Sequence, residues 1–180
     1  MKTRPVLTAI IVLLAAGLTG QLFARGGAGK TAADRAPKMA VPAVSPNAAD
    51  IQVQTLSGQS VSLASAFAGK PTMLVFWASW CPDCRRETPR VKEAYAKFSK
   101  EGLNVVAVDT AGRDKLEAVK AYIHENGLAY PVYYDAGTAA AKAYGITWIP
   151  TILLIDPSGK VVFKAPHVDE ASIRELLKKG

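Results

Sequence analysis

The sequence of 180 residues predicts an α/β fold, a mixed central β-sheet flanked by helices. Three observations carry this expectation. The runs "PTMLVFWA" (71–78) and "LNVVAVD" (103–109) are continuously apolar over strand length, as in strands buried on both faces. Stretches with helical apolar spacing separate them. Near the end, "TILLID" and "KVVFKA" flank Pro157-Ser158-Gly159, the pattern of an antiparallel hairpin. Strand–helix–strand followed by a hairpin and a closing helix makes a mixed sheet covered by helices.

The chain begins with a targeting region. Lys2 and Arg4 precede an apolar run over residues 6–24, the n-region and h-region of an export signal. Residues 1–24 are expected to be a signal peptide or an N-terminal membrane anchor, and both readings stand. Leu22-Phe23-Ala24 places a large residue where cleavage favours a small one, and the run approaches the roughly 20 residues that span a bilayer. The positive flank stays in the cytoplasm and sends the rest across the membrane. Residues 25–49 are rich in Gly, Ala and Pro without apolar periodicity. They read as a flexible linker with a reach on the order of 25–30 Å. The formal net charge is +7, but residues 1–40 hold six Lys/Arg against Asp34 alone, leaving +2 for the remainder. The basic character belongs to the targeting region, and no nucleic-acid partner is expected.

Residues 50–180 form the folded domain. "IQVQTLSGQSVSL" alternates apolar and polar residues around Ser57-Gly58, a short hairpin. The strand at 71–78 leads into a helix starting around Pro82, on which Val91, Tyr95 and Phe98 share one face. After the strand at 103–109, a helix over 113–126 turns Leu116, Val119 and Ile123 inward and stops at Asn126-Gly127. "PVYYD" is a short strand and "TAAAKAYG" a short helix ended by Gly145. A last helix over 169–179 buries Ile173, Leu176 and Leu177, with lysines at its C-terminal end, as the macrodipole favours.

The only two cysteines, Cys81 and Cys84, lie in "WASWCPDCRRETP" (77–89). A structural staple is a poor reading, because so short a loop restricts little unfolded-state entropy. A structural zinc site needs four ligands, and only His124 and His167 remain, far apart in sequence and each read as a surface or capping residue. No metal ligand is assigned. Redox chemistry leads, because a C-x-x-C at a strand-to-helix turn is the pattern of a dithiol–disulfide couple. Pro82 suits the first helical position, which sets Cys81 at the exposed helix N-terminus, where free N–H groups stabilise a thiolate. Cys84, one turn on and more shielded, resolves the mixed disulfide and closes the Cys81–Cys84 bond. The redox-active disulfide needs no separate cofactor.

"GKPTMLVFWASWCPDCRRETP" and "YPVYYDAGTAAAKAYGITWIPTILLIDPSGKVVF" resemble the thioredoxin-like TlpA/ResA group of exported thiol-disulfide oxidoreductases, from about residue 51 to the C-terminus. The resemblance implies a thioredoxin-like fold with the group's N-terminal hairpin and a central insert over about 109–135. It implies that Pro150 is a cis-proline facing the disulfide, that the Ile149 backbone pairs with the substrate chain, and that Pro89 kinks the active-site helix. It aligns Glu87 with an acid that exchanges a proton near Cys84; an exposed helix acid is the other reading of Glu87. The sequence departs from the pattern in places. Val75 stands where thioredoxin has a buried Asp, so no proton shuttle is available there. Pro82-Asp83 reverses the common x-Pro order, and ionised Asp83 is expected to raise the Cys81 thiolate pKa and bias the pair toward a reductant. Trp148 replaces a small residue and crowds the substrate groove. Trp80 forms an apolar lip, whereas Trp77 reads as core.

Three functions follow as expectations. The first is a reductase of disulfides in exported proteins, such as apocytochrome c or a copper-site protein, recharged by a membrane electron donor. The second is a Cu(I)-binding module using the two thiolates, disfavoured by the lack of Met/His clusters. The third is an oxidase or isomerase. The reduction potential separates the first from the third.

Overall fold

The computed structural model describes residues 51–67, 69–110 and 112–179. The segments read as signal or anchor (1–24) and as linker (25–49) lie outside the described residues. The elements run β1 (Gln52–Gln54), β2 (Ser60–Ser62), α1 (Ala64–Phe67), β3 (Thr72–Trp77), α2 (Pro82–Phe98), β4 (Asn104–Asp109), α3 (Leu116–Asn126), β5 (Val132–Tyr134), α4 (Ala139–Ala143), β6 (Thr151–Ile155), β7 (Val161–Ala165) and α5 (Glu170–Lys179). A single 3₁₀ turn, Ser99–Glu101, follows α2.

One seven-stranded sheet has the order β2-β1-β5-β4-β3-β6-β7. β3, β4 and β5 are parallel, and β6, β7, β1 and β2 add antiparallel on either side. Successive side chains of a strand face opposite sides, and both sides here are covered. Met73, Val75, Trp77, Val105, Ala107, Ile152 and Leu154 pack with Val91, Ala94 and Phe98 of α2, Val119 and Tyr122 of α3, and Ile173 and Leu176 of α5. The intervening Leu74, Phe76, Val106, Val108, Leu153 and Ile155 pack on the other face with Phe67 of α1, Ala140 and Ala141 of α4, and Tyr144 just after it. Every residue of β3 is buried, which is why that strand reads as an unbroken apolar run.

The expected strands, hairpins and longer helices are present, with differences of physical origin. α1 is four residues long, too short to leave a periodicity. α3 begins at Leu116 rather than 113, because the Asp114 carboxylate is bonded to Ser79 instead. Its inward residues are Val119 and Tyr122, with Leu116 and Ile123 half-buried. Tyr122 turns inward because its ring packs on Trp77, centroids 5.1 Å apart, and its hydroxyl meets Thr88 Oγ1 at 2.9 Å. Leu177 of α5 is likewise only half-buried. Gly127 ends α3 with φ of 56°, donating its N–H to His124 O at 3.3 Å.

Tyr144 is 1% exposed, packed against Phe76 at 5.7 Å, and its hydroxyl has no hydrogen-bond partner among the described residues. Burial pushes the phenol pKa up to about 12. A buried hydroxyl without a partner carries a desolvation cost and returns nothing. Tyr144→Phe is therefore expected to stabilise the domain by about 1 kcal/mol, read as a higher urea midpoint at unchanged slope. A loss of stability would contradict the absence of a partner.

Candidate active site

Past the end of β3 the chain turns through Ala78, Ser79 and Trp80 into α2. The Cys81 N–H donates to Ala78 O at 3.2 Å, closing the turn. Cys81 is the N-cap of α2, extended at φ −80° and ψ 115°, and Pro82 is the first helical residue, where a missing N–H leaves no bond unmade. Cys81 and Cys84 form a disulfide with Cα atoms 5.2 Å apart. The Cys84 N–H donates to Cys81 Sγ at 3.1 Å, so a sulfur fills the role that Ser or Asp oxygen usually has at this position. The Ile149–Pro150 bond is cis and brings the Ile149 carbonyl oxygen within 3.8 Å of the same sulfur.

The expected contrast in exposure between the cysteines is not found: Cys81 is 4% exposed and Cys84 3%. The cis-proline loop lays its Ile149 carbonyl against Cys81, and in the disulfide each sulfur shields the other. Position in the helix distinguishes them instead. Cys81 precedes the helix beside Trp80, which is 49% exposed, whereas Cys84 lies within it, its carbonyl accepting Thr88 Oγ1 at 2.9 Å. Trp77 is a core residue, and Val75 is buried in the sheet core. Pro89 lies inside α2.

Glu87 is neither an exposed helix acid nor hydrogen-bonded to a cysteine. It is 4% exposed, and Oε1 accepts the Val168 N–H at 2.7 Å. Oε2 lies 3.4 Å from His167 Nδ1 and 3.5 Å from Arg90 Nη1. Glu87 thus ties α2 to the segment between β7 and α5, a buried carboxylate stabilised by an N–H and a cation. His167, read as a surface residue, is half-exposed and faces this carboxylate. Asp83 forms an ion pair with Arg86, both exposed.

Trp148 and Ile149 stand half-buried between two grooves, and Pro150 is buried. One groove, about 670 Å³, is lined by Asp83, Arg86, Glu87, Arg90 and His167; the other, about 340 Å³, by Trp80, Thr110, Ala141 and Ile146. Among the described residues no group of three or more His, Cys, Asp or Glu side chains gathers as a metal site.

Sequence reasoning passed over a clamp on Ser79. Asp114 Oδ2 accepts the Ser79 N–H at 2.6 Å and Oδ1 its hydroxyl at 2.7 Å. From the other side Arg85 Nε donates to Ser79 O at 2.9 Å, with its guanidinium 5.5 Å above the Tyr122 ring. The Tyr134 hydroxyl in turn donates to Asp114 O at 2.9 Å. All polar groups of the residue two before Cys81 are held, which fixes the turn presenting Trp80 and Cys81. No local signal reveals this, because Asp114 is 35 residues from its partner. Asp114→Ala strands the Ser79 N–H and is expected to cost about 1–3 kcal/mol of stability and to slow disulfide reduction, with Asp114→Asn intermediate. Unchanged stability and rate would show that the clamp positions nothing.

The comparisons with known proteins agree with this geometry. The profile of the AhpC/TSA family matches residues 44–164. The chain is 33% identical over 180 residues to a thiol-disulfide oxidoreductase ResA of Bacillus cereus, covering 99% of this chain and 97% of that one. It is 34% identical over 154 residues to a ResA of Geobacillus thermodenitrificans, covering 86% and 82%. Among solved structures, the thioredoxin domain of a thiol-disulfide oxidoreductase from Bacteroides vulgatus superposes with a TM-score of 0.64 at 30% identity, covering 77% of this chain and 99% of that one. The chain belongs to the AhpC/TSA family and, within it, to the thioredoxin-like, ResA-type thiol-disulfide oxidoreductases.

Proposed function

We propose that this oxidoreductase works as a reductase of disulfides in exported proteins, with Cys81 as nucleophile and Cys84 as resolving thiol. The Cys81 thiolate attacks one sulfur of a substrate disulfide; that bond breaks, and the other substrate sulfur leaves as a thiolate and takes up a proton. Cys84, deprotonated, then attacks Cys81 Sγ and releases the second substrate sulfur. Two electrons have passed to the substrate, and the enzyme holds the Cys81–Cys84 disulfide. A membrane electron donor returns two electrons and two protons. The cysteine pair is the redox group, and no dissociable cofactor enters.

The surroundings of the Cys81 sulfur carry the choice of direction. A strong oxidant needs a reduced form that is unusually stabilised. Here the groups against Sγ are one backbone N–H at 3.1 Å and a carbonyl oxygen at 3.8 Å. Among the described residues, none of its recorded contacts is with a cation, and the carbonyl opposes a thiolate. This environment supports reduction over the oxidase reading. Glu87, tied to Val168, His167 and Arg90, lies three residues beyond Cys84 in α2 and would pass its proton by way of the larger groove. Trp80, Trp148, Ile149 and Pro150 would receive the substrate chain.

The N-terminal apolar run supports an extracytoplasmic location, soluble or tethered. Among the described residues no helix is long and apolar enough to cross a membrane. Apocytochrome c and copper-site proteins are the substrate classes suited to such a reductase. Equilibration with glutathione buffers tests the direction. A potential closer to about −270 mV than to about −120 mV is the expected result, and one near the upper value would mark an oxidase.

A further inference from the structure

Among the described residues Lys164 is the one buried lysine, at 6% exposure in β7 opposite Leu153. Its Nζ donates to Gly145 O at 3.1 Å and sits 4.6 Å from the centroid of the Trp148 ring. Its recorded partners among the described residues are thus a carbonyl and an indole, with no carboxylate. Burial lowers its pKa from the usual lysine value, because a charge withdrawn from water is disfavoured. A cation in that state gains most from an aromatic face.

The segment it contacts lies at the substrate surface. Lys164 holds the segment at Gly145, Thr151 Oγ1 donates to Trp148 O at 2.7 Å, and the cis bond at Pro150 follows Ile149. The backbone is thus held at Gly145 and at Trp148 itself, and the ammonium lies against the Trp148 ring. Trp148 and Ile149 line both grooves. One groove has Trp80, Ala141 and Ile146 with Thr110, Thr138 and Thr147, and Lys142 is its only ionisable lining residue; the other has Asp83, Arg86, Glu87, Arg90 and His167.

We propose that Lys164 is a positioning residue for Trp148, and that the indole it holds is a partition that sets substrate specificity. A polypeptide lying along Ile149 then places an apolar side chain next to its cysteine in the Trp80–Ile146 groove and a polar one in the groove beside Arg86 and His167. This rests on the reading of these grooves as the substrate surface. Without the cation the indole turns into one groove or the other and both lose their shape. Arginine keeps a cation for the aromatic face, whereas methionine fills the space without charge.

Steady-state reduction of insulin disulfides, with dithiothreitol regenerating the Cys81–Cys84 dithiol, tests it, comparing the unaltered protein with Lys164→Met, Lys164→Arg, Trp148→Leu and the double variant Lys164→Met/Trp148→Leu. Lys164→Met is expected to raise KM about fivefold with kcat within about twofold, and Lys164→Arg to return KM to within about twofold of the parent. Trp148→Leu should raise KM about as much, and Lys164→Met should add nothing in that background, as a double-mutant cycle requires of a residue acting through another. An unmoved KM in Lys164→Met, a Lys164→Arg variant as impaired as Lys164→Met, or additive effects in the double variant would overturn the inference. Should Lys164→Met fail to fold, an unmoved KM in Trp148→Leu overturns it equally. If the unaltered protein does not reduce insulin, the substrate reading and the partition both fall; if it does and the variants leave KM unmoved, only the partition is lost.

Discussion

Cys81 stands where a helix usually carries a serine or aspartate oxygen, and the first turn of α2 gives its sulfur the Cys84 N–H at 3.1 Å. Helix N-termini leave backbone donors without intrahelical partners. Placing one cysteine at the cap and the other at the third helical position gives the two sulfurs different backbone surroundings despite near-equal burial. The difference disappears if α2 starts one residue earlier or later. Pro82 favours the observed start, and the Ser79 clamp holds the approach to it. The arrangement depends on the registry between the end of β3 and the start of α2.

The sheet enforces that registry. β3 is paired on both sides, parallel to β4 and antiparallel to β6, and is apolar on both faces. Its end cannot slide, because a one-residue slip would exchange every side chain between two differently shaped cores. β6 starts directly after the cis Ile149–Pro150 bond, so the pairing that fixes β3 also delivers Ile149 to the Cys81 sulfur. α2 packs Val91, Ala94 and Phe98 against the sheet; truncation of a residue such as Phe98 costs about 3–5 kcal/mol. The polar ties of Glu87, Asp114 and Arg85 then lock the catalytic end to the surrounding segments.

How much of this is legible in the sequence depends on how far apart the interacting residues lie. β3 and β4 are visible because both faces are buried, and the cysteine pair is visible because two intervening residues at a strand–helix junction suffice to define it. The cis bond at Pro150 follows from family resemblance, since nothing local to Ile149-Pro150 encodes it. The grip of Asp114 on Ser79 spans 35 residues and that of Glu87 on Val168 spans 81; neither leaves a local pattern. The burial of Cys81 is hidden for the same reason, because the Ile149 carbonyl against its sulfur comes from 68 residues away. Lys164 reads as an ordinary strand residue until Trp148 is seen beside it.

The central claim is that the helix cap makes Cys81 the attacking thiol and Cys84 the resolving one. Capture of mixed disulfides tests this most directly, with Cys84→Ala and Cys81→Ala each reduced and mixed with a disulfide-bonded polypeptide. The account predicts that Cys84→Ala accumulates a covalent complex through Cys81, which stalls because no second thiol resolves it. Cys81→Ala should accumulate little, since Cys84 lies within the helix. Equal capture by both variants, or capture through Cys84 alone, would contradict the account.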